Sequence, residues 1–396
     1  MRNVGTVVRG IRTPIIKTND DLSSIVVDSL INASKSENFD FRDKDVVAVT
    51  EAVVAIAENN YATVDDIAQD IRTKFPSGNI GLLGPILSRN RFSILLKGIA
   101  RGCKHITIQL SFPSDEVGNG ILDEDLLYDS NFSLNSTITE EDYYKYFGTF
   151  LHPFTGINMV DFYKSLVKAE GCSVDFVFSN NPKTILDYSK DVLVATIHTR
   201  KKVKEMLKRS GGNTTILGLD DILTVPVNNS GYNPEYGLLG SNKATEERVK
   251  LFPREPGKVV NSIKEKLFEL TGKQIEVMCY GDGGFKDPIG GIWELADPVV
   301  SPAYTSGLEG TPNELKLKYL SDNKYASLRG DELKTAIIEE IKNKDKNLKG
   351  KMETQGTTPR RLTDLLGSLA DLTSGSGDKG TPVVFIQGYF DNLASE

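Results

Sequence analysis

Histidine and cysteine are scarce, with three of each in 396 residues. Cys103, Cys172 and Cys279 lie far apart, form no CxxC pair and carry no metal-ligand spacing. They read as reduced core thiols, which leaves no disulfide framework or zinc site to organise the fold. His105, His152 and His198 show no mutual spacing that would build a metal centre. Only His198 ends a predicted strand, where functional residues often lie in α/β sheets. Basic excess is also missing: 47 Lys and Arg against 54 Asp and Glu leave a net charge of −7. That balance argues against nucleic acid or an anionic membrane as a partner reached through general electrostatics, though not against a local basic pocket. No apolar stretch approaches bilayer-spanning length, and the first ten residues lack a signal pattern. The expected address is the cytoplasm. No internal repeat or low-complexity tract interrupts the chain, and the strands of its middle lead into no glycine-rich dinucleotide fingerprint.

What is present is an alternation of strand and helix signals in a chain long enough for two domains, with the apolar and charged fractions of a globular protein. Val4 to Val8 form a β-branched run, followed by the loop Arg9-Gly10-Ile11-Arg12-Thr13-Pro14. Asp20 and Asp21 then stand at the N-cap and first turn of a helix carrying Leu22, Ile25, Val26, Ser29 and Leu30. Asp45 to Thr50 is a buried-strand run entering Glu51, and Thr63 with Asp66 outlines a capping box. In the middle, strands at Ser173–Phe178, Asp191–Ile197 and Thr214–Leu217 alternate with a short helix opened by Asn181-Pro182 and a basic helix over Thr199–Arg209. This pattern predicts a small parallel unit. Further on, a helix over Val259–Thr271 ends at Gly272, and a strand at Gln274–Tyr280 follows it. Residues Ser306–Lys351 are charged surface helices, Arg361–Leu372 is amphipathic, and Pro382–Ile386 is a strand.

Several constellations carry chemistry. In Gly281-Asp282-Gly283-Gly284-Phe285-Lys286-Asp287, a strand ends in a glycine-rich turn whose bare N–H groups suit phosphate oxygens. Asp282 and Asp287 are the candidate ligands of a hard cation, Mg2+ or Mn2+, with Gly283 and Gly284 at the phosphate. A tight turn whose aspartates satisfy local backbone donors is the competing reading. Tyr236 to Lys243 contains Ser241 and Asn242, small polar tips suited to a polar ligand, or else a plain turn before a charged helix beginning near Ala244. Arg89 and Arg91 suit bidentate recognition of carboxylate or phosphate, as does Arg360-Arg361, with solvated surface arginine as the alternative.

Taken together and in order, these segments resemble the F-420-0:gamma-glutamyl ligase family. The opening strand, loop and acid-capped helix match Val7 to Leu22. The family's "GDVLVVTS…V.SKAEG" segment is similar to Lys44–Glu58, its "ELTGK.V.V…D" segment to Glu269–Val277 with Asp282 in the acid's place, and its "G…GDGIPAVVVRG" ending to Gly377–Gly388. The resemblance implies an α/β fold with mixed sheets, here carrying an added small α/β unit in the middle. The implied organisation is an N-terminal ligase-like part over 1–102, a divergent region over 103–230 and a C-terminal ligase-like part over 231–396. It further implies a homodimer that uses GTP or ATP and Mg2+ or Mn2+ to activate a carboxylate acceptor as an acyl phosphate, which the amine of L-glutamate attacks. Gly10, Ile11, Arg12, Thr13, Thr50 and Glu51 then fall at the nucleotide, Arg89, Arg91, Ser241, Asn242, Gly283 and Gly284 at substrate or phosphate, and Asp282 and Asp287 at the metal.

Departures from the pattern accompany the matches. The family's phosphate-facing lysine falls on Ile56, the serine–threonine pair on Glu51 and Ala52, the aspartate of "GIDxSN" on Leu239, and the threonine after the second metal aspartate on Gly283. These losses motivate a second reading, a non-catalytic small-molecule-binding protein on the ligase scaffold, and the turn of Asp282 and Asp287 a third, a metal-dependent phosphate-ester hydrolase.

Overall fold

The computed structural model describes residues 3–89, 91–153, 155–210, 212, 214–281, 284–286, 293–295, 300–354, 360–374 and 378–395. The chain is mixed α/β and divides into two compact units. The first gathers 1–54, 255–285 and 295–396, and the second 55–254 and 286–294.

The first unit opens with strand β1 (Val7–Ile11), helix α1 (Leu22–Glu37) and strand β2 (Val46–Thr50), and helix α2 (Glu51–Ala57) follows directly. Asp21 caps α1, its carboxylate accepting from the Ser24 N–H at 3.1 Å. Val46 to Val49 are buried without alternation, as a strand covered on both faces requires.

The second unit follows as β3 (Tyr61–Thr63), α3 (Val64–Lys74), β4 (Asn79–Leu83), α4 (Phe92–Arg101) and β5 (His105–Leu110). It continues through α5 (Glu124–Asp129), β6 (Thr137–Thr139), α6 (Glu140–Phe147), α7 (Met159–Ala169) and β7 (Ser173–Ser179). It closes with β8 (Asp191–Val194), α8 (Arg200–Ser210), β9 (Thr215–Gly218) and the pair β10 (Asn242–Thr245) and β11 (Arg248–Lys250). The capping box is formed: Thr63 Oγ1 accepts from the Asp66 N–H at 3.1 Å, and Asp66 accepts from the Thr63 N–H at 2.8 Å. A six-stranded sheet runs β6-β7-β5-β4-β8-β9, parallel except for the edge strand β6. Its apolar core joins Leu82, Ile106, Ile108, Phe176 and Phe178 to Ile67, Leu96, Ile99 and Tyr163 of the helices. The boundary expected at 102/103 falls between two strands of this one sheet, because β4 and β5 pair in register from Asn79↔His105 to Leu83↔Gln109. The boundary expected at 230/231 also lies inside the unit, which runs on to Arg254. No helix begins at Ala244. β10 and β11 form a hairpin instead, with Val249 fully buried and paired to Ala62 of β3, so tertiary pairing overrides the helical propensity of Ala244 to Glu247.

The chain then returns to the first unit with α9 (Pro256–Thr271) and β12 (Glu276–Gly281). After the short ribbon β13 (Gly284–Lys286) and β14 (Trp293–Leu295) come β15 (Val300–Tyr304), α10 (Leu317–Asp322), α11 (Gly330–Asn343), α12 (Leu362–Ser374) and β16 (Val383–Gln387). Gly272 ends α9 in the left-handed conformation, φ +67°. Five strands form the sheet β1-β16-β2-β12-β15, in which only β2 and β12 are parallel neighbours. Leu366 and Ala370 of α12 pack on Val46, Ala48, Met278, Tyr280, Val384 and Ile386. The alternate residues Val47, Val49, Val277, Cys279 and Phe385 are equally buried, with Phe39 stacked on Phe385 at 5.3 Å. Among the described residues no helix is long and apolar enough to cross a membrane.

Candidate active site

In the first unit, strand direction decides where the polar residues gather. β1 and β2 each run antiparallel to β16, and β12 runs parallel to β2. The carboxyl ends of β1, β2 and β12 therefore share one sheet edge with the amino end of β16. This brings Gly10, Ile11, Arg12 and Thr13 together with Thr50, Glu51 and Gly281. The Thr13 N–H donates to the Gly380 carbonyl at 3.2 Å, and the Thr50 N–H to the Pro382 carbonyl at 3.0 Å. Thr381, between these two acceptors, donates its hydroxyl to the Ser374 carbonyl at 2.8 Å and lies so close to Gly10 that a Cβ there would stand 3.2 Å away. Gly10 and Arg12 are exposed, which leaves backbone and guanidinium open at this edge.

Glu51 begins α2 at the end of β2 and is 6% exposed. Its Cγ lies 2.6 Å from where a Cβ on Gly281 would stand, so only glycine at 281 lets this side chain lie across the end of β12. A carboxylate thus sits beside the strand that leads into Asp282. On the opposite face of β12, burial pushes the Tyr280 phenol up to about 12, with Ser374 acting against it. Asp282, Gly283 and Asp287 lie outside the described residues. Gly284 begins β13. Among the described residues no three His, Cys, Asp or Glu side chains cluster closely enough to hold a metal ion. At this edge Glu51 brings one buried carboxylate, whose oxygens are the donor type that Mg2+ and Mn2+ prefer.

The remaining candidates belong to the second unit. Arg89 is exposed in the loop after β4, and its carbonyl accepts from the Ser93 hydroxyl at 2.5 Å. Arg91 occupies the N-cap position of α4, its N–H donating to Ser88 Oγ at 3.1 Å. Ser241 is buried, and its hydroxyl donates to the Leu238 carbonyl at 2.7 Å inside the turn that Gly240 makes at φ +69° against the Phe252 ring. Asn242 starts β10. Leu239, aligned with the family's metal aspartate, is 7% exposed in the apolar core of this unit. Sequence reasoning did not single out the segment Gly380-Thr381-Pro382 as part of a site, although a Gly-x-Pro punctuation directly before a strand marks a chain entering a sheet edge.

The fold and this edge define a two-unit α/β protein whose mixed sheet presents backbone, an arginine and a buried carboxylate together. The model of the F420-0:gamma-glutamyl ligase family matches residues 10–388, nearly the whole chain, and the protein belongs to that family. No curated protein matches it.

Proposed function

We propose that the protein is a nucleotide- and divalent-metal-dependent ligase. It would join L-glutamate, or another amino acid, to a small-molecule carboxylate acceptor through an acyl phosphate, and act as a homodimer. The observation that carries this reading is the meeting of Gly10–Thr13, Thr50 and Glu51 at one sheet edge, in a member of this ligase family. In this reading the exposed backbone at Gly10 and the Arg12 guanidinium hold the nucleotide phosphates, since arginine offers planar paired donors. Glu51, held across Gly281, and Asp282 are the metal-holding carboxylates. The bound ion would supply neutralisation of phosphate charge. The chain's own part is to orient the two carboxyl-bearing substrates, because phosphoryl and acyl transfer depend mostly on positioning and preorganised charge.

The test is calorimetry of the purified protein with GTP and then ATP, each with and without Mn2+ or Mg2+, followed by product analysis with glutamate and carboxylate acceptors. Metal-dependent nucleotide binding is expected, with phosphate and amide formed in equal amounts and turnover abolished by Asp282→Asn. Absence of nucleotide binding under all conditions overturns the reading.

A second reading, a binding protein on the same scaffold, is favoured by Leu239 lying in an apolar core and by half-buried Ile56 in place of the family's lysine. Ligand binding without any nucleotide turnover would select it.

A further inference from the structure

The parallel strands of the second unit follow one another in the chain as β4, β5, β7, β8 and β9, yet lie side by side as β7-β5-β4-β8-β9. From β4 the order grows outward in both directions, so the sense of winding reverses between β4 and β8. In doubly wound sheets the crevice beyond the carboxyl ends of the strands at such a reversal is where ligands bind. Here three loops meet at that position. The Leu87 N–H, after β4, donates at 2.8 Å to Asp115, in the loop after β5. The next residue, Glu116, accepts from the N–H groups of Ile197 and His198 after β8, the latter at 3.2 Å. These two amides lie in the loop before α8, with Thr199 between them and the helix.

Buried polar atoms flank β4 on both sides without hydrogen-bond partners among the described residues: Oγ1 of Thr196 beyond β8 and Oε1 of Gln109 on β5. Gln109 is 1% exposed, and its Nε2 donates to the Ser179 and Asn181 carbonyls at 2.9 Å each. A Cβ on Gly84, which has φ +65°, would run into Cγ2 of Thr196, so the chain turns out of β4 where a side chain could not. Buried polar atoms are normally paired, so the unpartnered Thr196 hydroxyl, a donor, marks a place for an acceptor the chain does not supply, whereas Gln109 Oε1, itself an acceptor, does not call for an anion. Burial pushes the Glu116 carboxyl above its usual range, opposed by the Ile197 N–H and by His198, and this eases its displacement.

We infer that the crevice between β4 and β8 is a binding site for a small molecule bearing a carboxylate, which takes the Ile197 and His198 amides from Glu116 and meets the hydroxyl of Thr196. The chain's own carboxylate shows which anion these amides accept. The site belongs to the second unit and is independent of the ligase reading of the first.

Only three histidines are present, so selective labelling of their rings lets His198 be followed by two-dimensional NMR on the full chain. L-Glutamate, acetate and inorganic phosphate are titrated to millimolar concentrations without divalent metal, against sodium chloride of matched ionic strength. A saturable shift of the His198 signal with the carboxylates is expected, with His105 and His152 unmoved. Thr196→Val should weaken the affinity about tenfold, as loss of one buried hydrogen bond implies. Glu116→Gln should strengthen it, because the competing charge is gone. Unmoved His105 and His152 signals verify that each variant is folded, and the two substitutions lie on different loops. Overturning results are an unmoved His198 in the wild-type chain, an equal shift with sodium chloride, a response to phosphate alone, or wild-type affinity in both variants.

Discussion

Glu276 shows how a carboxylate becomes structural through its neighbours. It sits at the start of β12, where burial alone would raise its pKa. The Thr305 hydroxyl, the Lys264 ammonium and the Gly307 N–H outweigh burial and hold it below its ordinary 4.5. Lys264 Nζ lies 2.9 Å from both carboxylate oxygens, and Thr305 Oγ1 in turn accepts from the Val277 N–H at 2.9 Å. One side chain therefore ties α9, β12 and the turn after β15. A carboxyl whose folded pKa is depressed adds stability above its unfolded pKa and loses it as pH falls through the folded value. Glu276→Gln is thus expected to cost about 1–2 kcal/mol at neutral pH, the modest range for charged hydrogen bonds at a site partly open to solvent. The deficit should shrink below pH 4.5 and vanish beneath the folded pKa. Melting temperatures of both proteins across that pH range check this, and a deficit independent of pH would contradict it.

At the scale of the element, the helix ends carry their own instructions. Thr63 and Asp66 satisfy each other's backbone at the start of α3, and the cap also fixes the chain leaving β3. Thr63→Ala should lower stability by about 1 kcal/mol, read as a shift in urea midpoint at constant slope. Such signals are local, which is why α1, α3, α9, β2 and the β7 to β9 series were legible in the sequence. β4 and β5 were not read there. Asn79-Ile80-Gly81-Leu82-Leu83 is short and interrupted by a glycine, and what makes it a strand is pairing on both sides, with β5 and β8. Gly81 is needed there, since a Cβ would meet the Ile185 side chain. The hairpin at β10 and β11 was hidden for the opposite reason: its residues favour helix, and β3, some 180 positions earlier, decides otherwise. The candidate site divided the same way. The loop at Gly10–Thr13 and the step from Thr50 to Glu51 could be picked out one by one. Their meeting with Gly281 and Gly380–Pro382 depends on strand order, which no local pattern contains.

At the scale of the whole molecule, chain connectivity sets how the two units can fold. The second unit is almost one continuous stretch, 55–254, and holds its six-stranded sheet within it. The first is assembled from both ends of the chain, and β16, close to the carboxyl terminus, lies inside its sheet between β1 and β2. β16 buries Val383, Val384, Phe385 and Ile386 completely and pairs on both sides. Removing residues 382–396 should therefore split one sheet in two and expose the floor of the candidate active site, whereas it deletes nothing from the second unit. We expect a fragment of residues 55–254 to fold cooperatively, because its sheet, its helices and their shared core all lie in one continuous segment. The chain ending at residue 381 should keep the dispersed histidine signals of His105, His152 and His198, all of which belong to that segment. It should lose protection of the β1, β2 and β12 amides in hydrogen exchange. Cooperative loss of the histidine dispersion on this truncation would mean that folding of the second unit depends on the first.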